Sequence, residues 1–123
     1  MLINLSNHPF AKWEDDQRRE AESRYGETVD LKFPDINPDA DESEVRKIAM
    51  EQVDKCKALL DGAGDGPRAV HVVGEYTCAF TMINGLLDAG IECVASTTYR
   101  ITSEENGEKK SIFRFVRFRR YER

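Results

Sequence analysis

The chain has 123 residues, 40% hydrophobic and 33% charged, a composition typical of one globular domain rather than a disordered chain. It shows no apolar run long enough to cross a bilayer and no signal-peptide pattern, so we expect a cytoplasmic protein without a membrane association. The net charge of -5 is uneven: residues 1–99 carry a balance of -9 and residues 100–123 a balance of +4, which disfavours duplex nucleic acid as a partner.

The first half of the chain predicts strands and helices in alternation. A run of apolar residues indicates a strand at residues 1–5, and alternating apolar residues indicate a strand at 28–33. Stripes of apolar residues with helical spacing indicate a helix from about 13 to 25 and another at 43–60. The first strand leads into a sharp loop, Ser6-Asn7-His8-Pro9. Asp41 or Ser43 is expected to cap the second helix.

The second half continues the alternation and then changes character. We expect a buried strand at residues 69–73, a helix from about 78 to 89, a strand at 91–96 and two strand-like arms at 99–103 and 110–121. The Asn106-Gly107 dipeptide between the arms is a strong signal for a β-hairpin. The second arm is aromatic and basic, which is typical of a charged face that protects a sheet edge.

This order of elements predicts an α/β fold. Strands that alternate with helices form a parallel sheet covered by helices on both faces, here a small Rossmann-like three-layer sandwich with an antiparallel hairpin at its end. We expect one such domain over residues 1–123. Ligands of open parallel sheets bind beyond the carboxyl ends of the strands, and a 2-1-3-4-5 strand order would place the site between strands one and three.

Three loops are expected to meet at that place, and they are rich in hydroxyl and amide groups. They supply Ser6, Asn7 and His8 after strand one, Gly74, Glu75, Tyr76 and Thr77 after strand three, and Ser96, Thr97, Thr98 and Arg100 after strand four. Two of the loops lead into helices, whose first backbone N–H groups favour an anion such as a phosphate. The pattern therefore favours a nucleotide, although a carboxylate or sulfate would suit the same groups.

Each of these residues also has a structural interpretation. Ser6 and Asn7 are typical of helix caps and turns, and Glu75 suits the positive end of a helix. His8, in a predicted exposed loop, is the better candidate for proton transfer, because a histidine exchanges protons near neutral pH. His71, inside a predicted buried strand, is interpreted as structural.

Several stronger signatures are absent from the sequence. It has no GxGxxG or Walker phosphate loop and no GxSxG motif. No cluster of His, Cys and carboxylate residues has the spacing of metal ligands, so we expect neither a metal nor a cofactor. The three cysteines are far apart and are expected to be reduced thiols in the core.

Short stretches of the chain resemble small CRISPR-associated proteins of type III systems. These stretches are Met1–Pro9 with Trp13, Asp30–Pro34, Gly74–Thr77 and Ala95–Arg100. The small members of that group are similar to minimal CARF domains, Rossmann-like domains that sense cyclic oligoadenylate messengers. Some of them, the ring nucleases, also cleave the messenger.

The resemblance implies a homodimer that binds a cyclic oligoadenylate, with cyclic tetra-adenylate as the favoured ring, across its two-fold axis. It also implies metal-independent cleavage, in which a ribose 2′-hydroxyl attacks the neighbouring phosphate. His8, Ser6 and Arg100 are then the candidate catalytic residues, and the other residues of the three loops would bind the ligand. A binder that does not cleave, acting as a sponge or sensor, and an enzyme on another nucleotide conjugate remain alternatives. A protein-interaction subunit is a third, with the strand that carries Phe113, Phe115 and Phe118 as its candidate surface.

Overall fold

The computed structural model describes residues 1–123 and contains five strands and three α-helices. In chain order these are β1 (Leu2–Ser6), α1 (Asp15–Tyr25), β2 (Thr28–Lys32), α2 (Glu42–Asp61), β3 (Ala69–Val72), α3 (Tyr76–Asp88), β4 (Glu92–Glu105) and β5 (Glu108–Arg120). A 3₁₀ turn at Phe10–Lys12 precedes α1. The predicted alternation of strands and helices is thereby confirmed. None of the helices combines the length and the apolarity that a membrane crossing requires.

The five strands form one sheet in the order β2-β1-β3-β4-β5. The pairs β1–β2, β1–β3 and β3–β4 are parallel, and β4–β5 is antiparallel. The expected mostly parallel α/β sheet with an antiparallel end is confirmed. The predicted strand at 91–96 and the arm at 99–103 are a single strand, which pairs with β5 from Val94 to Glu105 with one irregularity between Thr97 and Thr98.

The hairpin between β4 and β5 turns at the predicted dipeptide. Asn106 and Gly107 both have positive φ angles, 54° and 80°. Two such residues make the turn that matches the natural twist of a β-hairpin, and Asn-Gly is the sequence that adopts it most readily.

The two faces of the sheet have different covers. Helices α2 and α3 pack on one face, against a cluster that includes Ile3, Leu5, Val70, Val72 and Cys93. Helix α1 and the preceding Trp13 pack on the other face, against Leu2, Ala69, Val94 and Phe118. Because side chains alternate along a strand, neighbouring residues of β1 and β3 belong to different clusters.

The face under α1 changes from apolar to polar along the strands. Leu2, Ala69 and Val94 lie in its apolar part. Two residues further along the same strands, the positions are occupied by Asn4, His71 and Ser96. The register pairs Asn4 with His71 and with Asp30, so these polar residues form a row across the sheet. This row positions the candidate site.

Candidate functional site

A cavity of about 470 Å³ lies where β1 and β3 end and β4 continues into the hairpin. It opens on the face covered by α1 and is lined by Ser6, Asn7, His8, Lys12, Trp13, Glu14, Gln17, His71, Val73, Gly74, Ser96, Thr98 and Phe113. Its volume is within the range of roughly 300–1,000 Å³ that small-ligand sites occupy. Of the predicted site residues, six line it together: Ser6, Asn7, His8, Gly74, Ser96 and Thr98.

A chain of hydrogen bonds runs under the floor of this cavity. The Asn4 amide nitrogen donates to Asp30 Oδ1 at 2.9 Å, and His71 Nδ1 lies 3.0 Å from Asn4 Oδ1. His71 Nε2 lies 3.2 Å from Ser96 Oγ. Asn4 is 1% exposed and His71 3% exposed, whereas Ser96 is only half-buried and faces the cavity. The row therefore connects a buried carboxamide to a hydroxyl that a ligand can reach.

The partners of Asn4 determine which ring nitrogen of neutral His71 carries the hydrogen. The amide nitrogen of Asn4 faces two acceptors, the Asp30 carboxylate and the His8 carbonyl oxygen at 2.8 Å. Its oxygen must then face His71, so Nδ1 of the neutral imidazole carries the hydrogen and donates it. His71 Nε2 is consequently an acceptor, and Ser96 Oγ donates its hydrogen to it.

His71 is a neutral side chain at physiological pH. Burial, with a smaller contribution from the nearby charge of His8, lowers the pKa of His71 from 6.5 to about 4. A buried imidazole without a carboxylate in direct contact is expected to lose its proton in this way. The unprotonated Nε2 is therefore available at neutral pH.

The loop after β1 is held in place by hydrogen bonds between nearby side chains and the His8 backbone. The His8 carbonyl oxygen accepts from Asn4 and from Trp13 Nε1, at 2.8 and 2.9 Å. Ser6 Oγ accepts from the His8 backbone N–H at 3.1 Å and donates to Asn4 Oδ1 at 2.7 Å. Ser6 is buried, and these bonds give it a role in shaping the loop, whereas the His8 side chain is exposed at the cavity wall.

Five predicted site residues lie outside the cavity lining. Thr97 donates to the Arg117 carbonyl oxygen in the neighbouring strand, and Arg100 lies on the exposed hairpin beside Ser111. Tyr76 and Thr77 line a different cavity, between the beginnings of α2 and α3. The fifth, Glu75, caps α3, as described next.

The amino terminus of α3 is not free for an anion, which corrects the expectation from the sequence. The Glu75 carboxylate accepts from the backbone N–H groups of Cys78 and Thr77, at 2.8 and 3.1 Å. These bonds, with one from the Thr77 hydroxyl, lower the pKa of Glu75. Helix α1 has no side-chain cap, but it begins with the acidic residues Asp15 and Asp16, whose negative charge opposes a phosphate at that helix end.

Gly74 lines the cavity for a reason that the sequence did not indicate. A Cβ atom at this position would lie 2.4 Å from the Phe33 ring. The space beside the Gly74 backbone is thus filled by a core aromatic residue, which brings the end of β3 close to the segment after β2.

The model of one protein family, described as "Uncharacterized protein MJ1673 family", matches residues 1–119 of the chain. The chain belongs to this family. No curated protein and no solved structure matches it significantly. The matched range includes every residue that lines the cavity and every residue of the polar row.

In this member of the MJ1673 family, reasoning from sequence did not single out Lys12 or Asn4 as site residues, and it interpreted His71 as structural. Lys12 supplies a cation to the cavity wall, and Asn4 and His71 form the buried part of the row. The signal that could have found the row is the presence of single polar residues at alternate positions of otherwise apolar strands. Asn4 in β1 and His71 in β3 are two such residues.

Proposed function

We propose that this protein binds a cyclic oligoadenylate in the cavity between β1, β3 and β4 and cleaves it without a metal ion, as a ring nuclease of type III CRISPR signalling. The observation that carries the proposal is the cavity itself. It combines imidazole, hydroxyl, amide and ammonium groups at the point where the strand order reverses, between β1 and β3. Open α/β sheets bind nucleotides at that point, which also supports a Rossmann-like classification of the fold.

The charges at the cavity suit a phosphodiester. Lys12 and His8 lie on its wall, and Arg100 stands on the hairpin directly opposite Phe113, which also lines the cavity. Residues opposite each other in an antiparallel pair share a face, so Arg100 is a cation at the rim of the cavity. The acidic residue in the lining, Glu14, accepts a hydrogen bond from the Phe115 backbone N–H at 2.6 Å.

The size of the cavity supports a shared ligand. A volume of about 470 Å³ holds a nucleotide unit but not a ring of four nucleotides. Two copies of the chain, each offering the same cavity, would hold a symmetric ring across a two-fold axis. We therefore propose a homodimer that binds one ring of cyclic tetra-adenylate.

The proposed reaction needs only groups of this kind. The ribose 2′-oxygen attacks the adjacent phosphorus, the bond from phosphorus to the 5′-oxygen breaks, and a 2′,3′-cyclic phosphate is left at the cut. Lys12 would stabilise the negative charge that builds up on the phosphate, and His8 would donate a proton to the leaving 5′-oxygen. Positioning of the 2′-oxygen in line with the leaving oxygen supplies the rest of the acceleration.

The test is incubation of the purified protein with cyclic tri-, tetra- and hexa-adenylate in the presence of EDTA, with separation of the products by chromatography. We expect linear products from one ring size and one ring bound per two chains, measured by native mass spectrometry. Lys12→Ala is expected to weaken binding about tenfold, and His8→Ala to slow cleavage more than binding. Lys47→Ala, on the exposed side of α2, is the matched control.

Each outcome has a distinct meaning. Binding without cleavage would replace the nuclease by a sponge or sensor that uses the same cavity. Binding that responds equally to Lys12→Ala and Lys47→Ala would move the ligand away from this cavity. Failure of all three rings to bind would refute the proposal.

A further inference from the structure

We propose that Ser96 and His71 form the proton-accepting pair of this site, with Asn4 as the residue that positions His71. The inference rests on the proposed function, because it concerns the hydroxyl that attacks the phosphate. It adds a base to a reaction for which the loop residues supply only a proton donor and cations.

The hydrogen-bond chain has a fixed direction. Asp30 can only accept, so the Asn4 amide nitrogen points to it and the Asn4 oxygen points to His71 Nδ1. His71 therefore donates to Asn4 and accepts from Ser96. If His71 carried its hydrogen on Nε2 instead, its Nδ1 and the Asn4 oxygen would be two acceptors facing each other in the buried part of the row.

This direction determines what Ser96 offers to a ligand. Its hydrogen is committed to His71 Nε2, 3.2 Å away, so the remaining lone pairs of Ser96 Oγ face the cavity. A hydroxyl of a ligand that contacts Ser96 can then only donate to it. A ribose 2′-hydroxyl bound in this way is aligned to give up its proton.

The proton transfer balances without another reactant. As the 2′-oxygen bonds to phosphorus, its proton passes to Ser96 Oγ and the Ser96 proton passes to His71 Nε2. The bond to the 5′-oxygen breaks, and that oxygen takes a proton from the imidazolium form of His8. The His71 imidazolium then donates to Asn4 and Ser96. After product release His71 returns its proton through Ser96 to water and His8 takes a proton from water, so both imidazoles regain their starting forms.

Burial supports a role for the row beyond packing. Asn4 and His71 lie on the same face of the sheet as Leu2 and Ala69, the apolar residues two positions earlier in the same strands. Burying a polar group is costly unless all its hydrogen bonds are made. Both ring nitrogens of His71 have such partners, Asn4 and Ser96. Ser96 is the one member of the row that lines the cavity with an accessible hydroxyl.

Two measurements test the assignment. Long-range ¹H–¹⁵N spectra of the full chain at neutral pH report which imidazole nitrogen of His71 carries hydrogen, and they do not depend on any ligand. Single-turnover cleavage of cyclic tetra-adenylate then compares the wild type with Ser96→Ala, His71→Gln and Asn4→Ala. Ser103→Ala, on the outer part of β4, is the matched control.

We expect hydrogen on Nδ1 and none on Nε2, and a mixed or reversed pattern in Asn4→Ala. Ser96→Ala and His71→Gln are expected to lower the cleavage rate at least 100-fold while the dissociation constant changes less than about threefold. Ser96→Ala keeps the test valid if His71→Gln fails to fold, because it leaves the buried part of the row intact.

Other results would overturn the assignment in recognisable ways. Hydrogen on Nε2 removes His71 as an acceptor whatever the ligand is. Variants that cleave within threefold of the wild-type rate refute the pair but leave the proposed nuclease standing. A wild-type protein that does not cleave the ring refutes the nuclease and the pair together.

Discussion

His71 ties the stability of the protein to pH. Its pKa falls from 6.5 to about 4 in the folded state, so the folded protein binds fewer protons than the unfolded chain between these values. The associated stability is fully present above pH 6.5 and is lost as the pH falls towards 4, by about 3 kcal/mol in total. Urea unfolding at pH 7, 6 and 5 is therefore expected to show a steep loss of stability in the wild type.

Replacement of the imidazole separates this effect from other titrations. His71→Gln is expected to be less stable than the wild type at pH 7 but to lose less stability on acidification. His8→Gln should keep most of the dependence, because burial is the larger cause of the lowered pKa of His71 and the charge of His8 the smaller one. Parallel pH curves for the wild type and His71→Gln would show that His71 does not titrate with a depressed pKa.

Gly74 is expected to tolerate no side chain. A Cβ atom 2.4 Å from the buried Phe33 ring requires one of the two segments to move. We expect Gly74→Ala to lower the free energy of unfolding by about 1–3 kcal/mol, as overpacking of a core does. Gly62→Ala is the control, because its Cβ would have no neighbour closer than 3.6 Å. Equal unfolding midpoints for the two variants in urea would contradict this reason for the glycine.

The site residues were predictable only where they follow a strand directly. The loop with His8 and the positions of Gly74 and Ser96 follow from the alternation of elements and from the place where parallel sheets bind ligands. The partners of His71 did not follow, because Asn4 and Ser96 lie 67 and 25 residues away from it in the chain. Only the register of the strands brings them together.

At the scale of elements, the first turn of α3 depends on one carboxylate. Glu75 accepts from the Thr77 and Cys78 backbone N–H groups, which would otherwise be unpaired at the helix end. Glu75→Ala is expected to lower the stability by about 1 kcal/mol at neutral pH, the usual effect of losing a cap. Because the bonds lower the pKa of Glu75, the contribution disappears as acid protonates the carboxylate. Thermal unfolding measures the change, and Glu51→Ala on α2 is expected to cause none of comparable size.

Element boundaries show where the sequence signal was sufficient. The hairpin was predictable because Asn-Gly readily adopts the two positive φ angles that its turn requires. The start of α2 was predictable because Asp41 is a typical cap, and it accepts a hydrogen bond from the Glu44 N–H. The continuity of β4 was not predictable. Its outer part pairs only with β5 and carries mostly exposed side chains, so it lacks the apolar pattern of the inner part.

At the scale of the whole molecule, charge separates the body from the hairpin. The basic residues of 100–123 lie on β5, on the outer part of β4 and, for Arg123, just after β5, while residues 1–99 carry a balance of -9. A duplex that approaches the hairpin meets repulsion from the acidic body. We expect no mobility shift of duplex DNA at micromolar protein and about 0.15 M salt, whereas a shift that decreases with salt would show that the basic hairpin acts independently of the body.

The polar row also implies that substitutions of its members have non-additive effects on stability. A single change such as Asn4→Val leaves the buried Nδ1 of His71 without its partner, and is expected to destabilise the fold. The joint change of Asn4, His71 and Ser96 to valine removes the unpaired groups of the row together and extends the apolar packing under α1. A library selected for thermal stability alone would therefore move towards the apolar triple, whereas one selected for activity would retain all three polar residues. Under the proposed mechanism, the row marks where this fold gives up stability in return for a reactive surface.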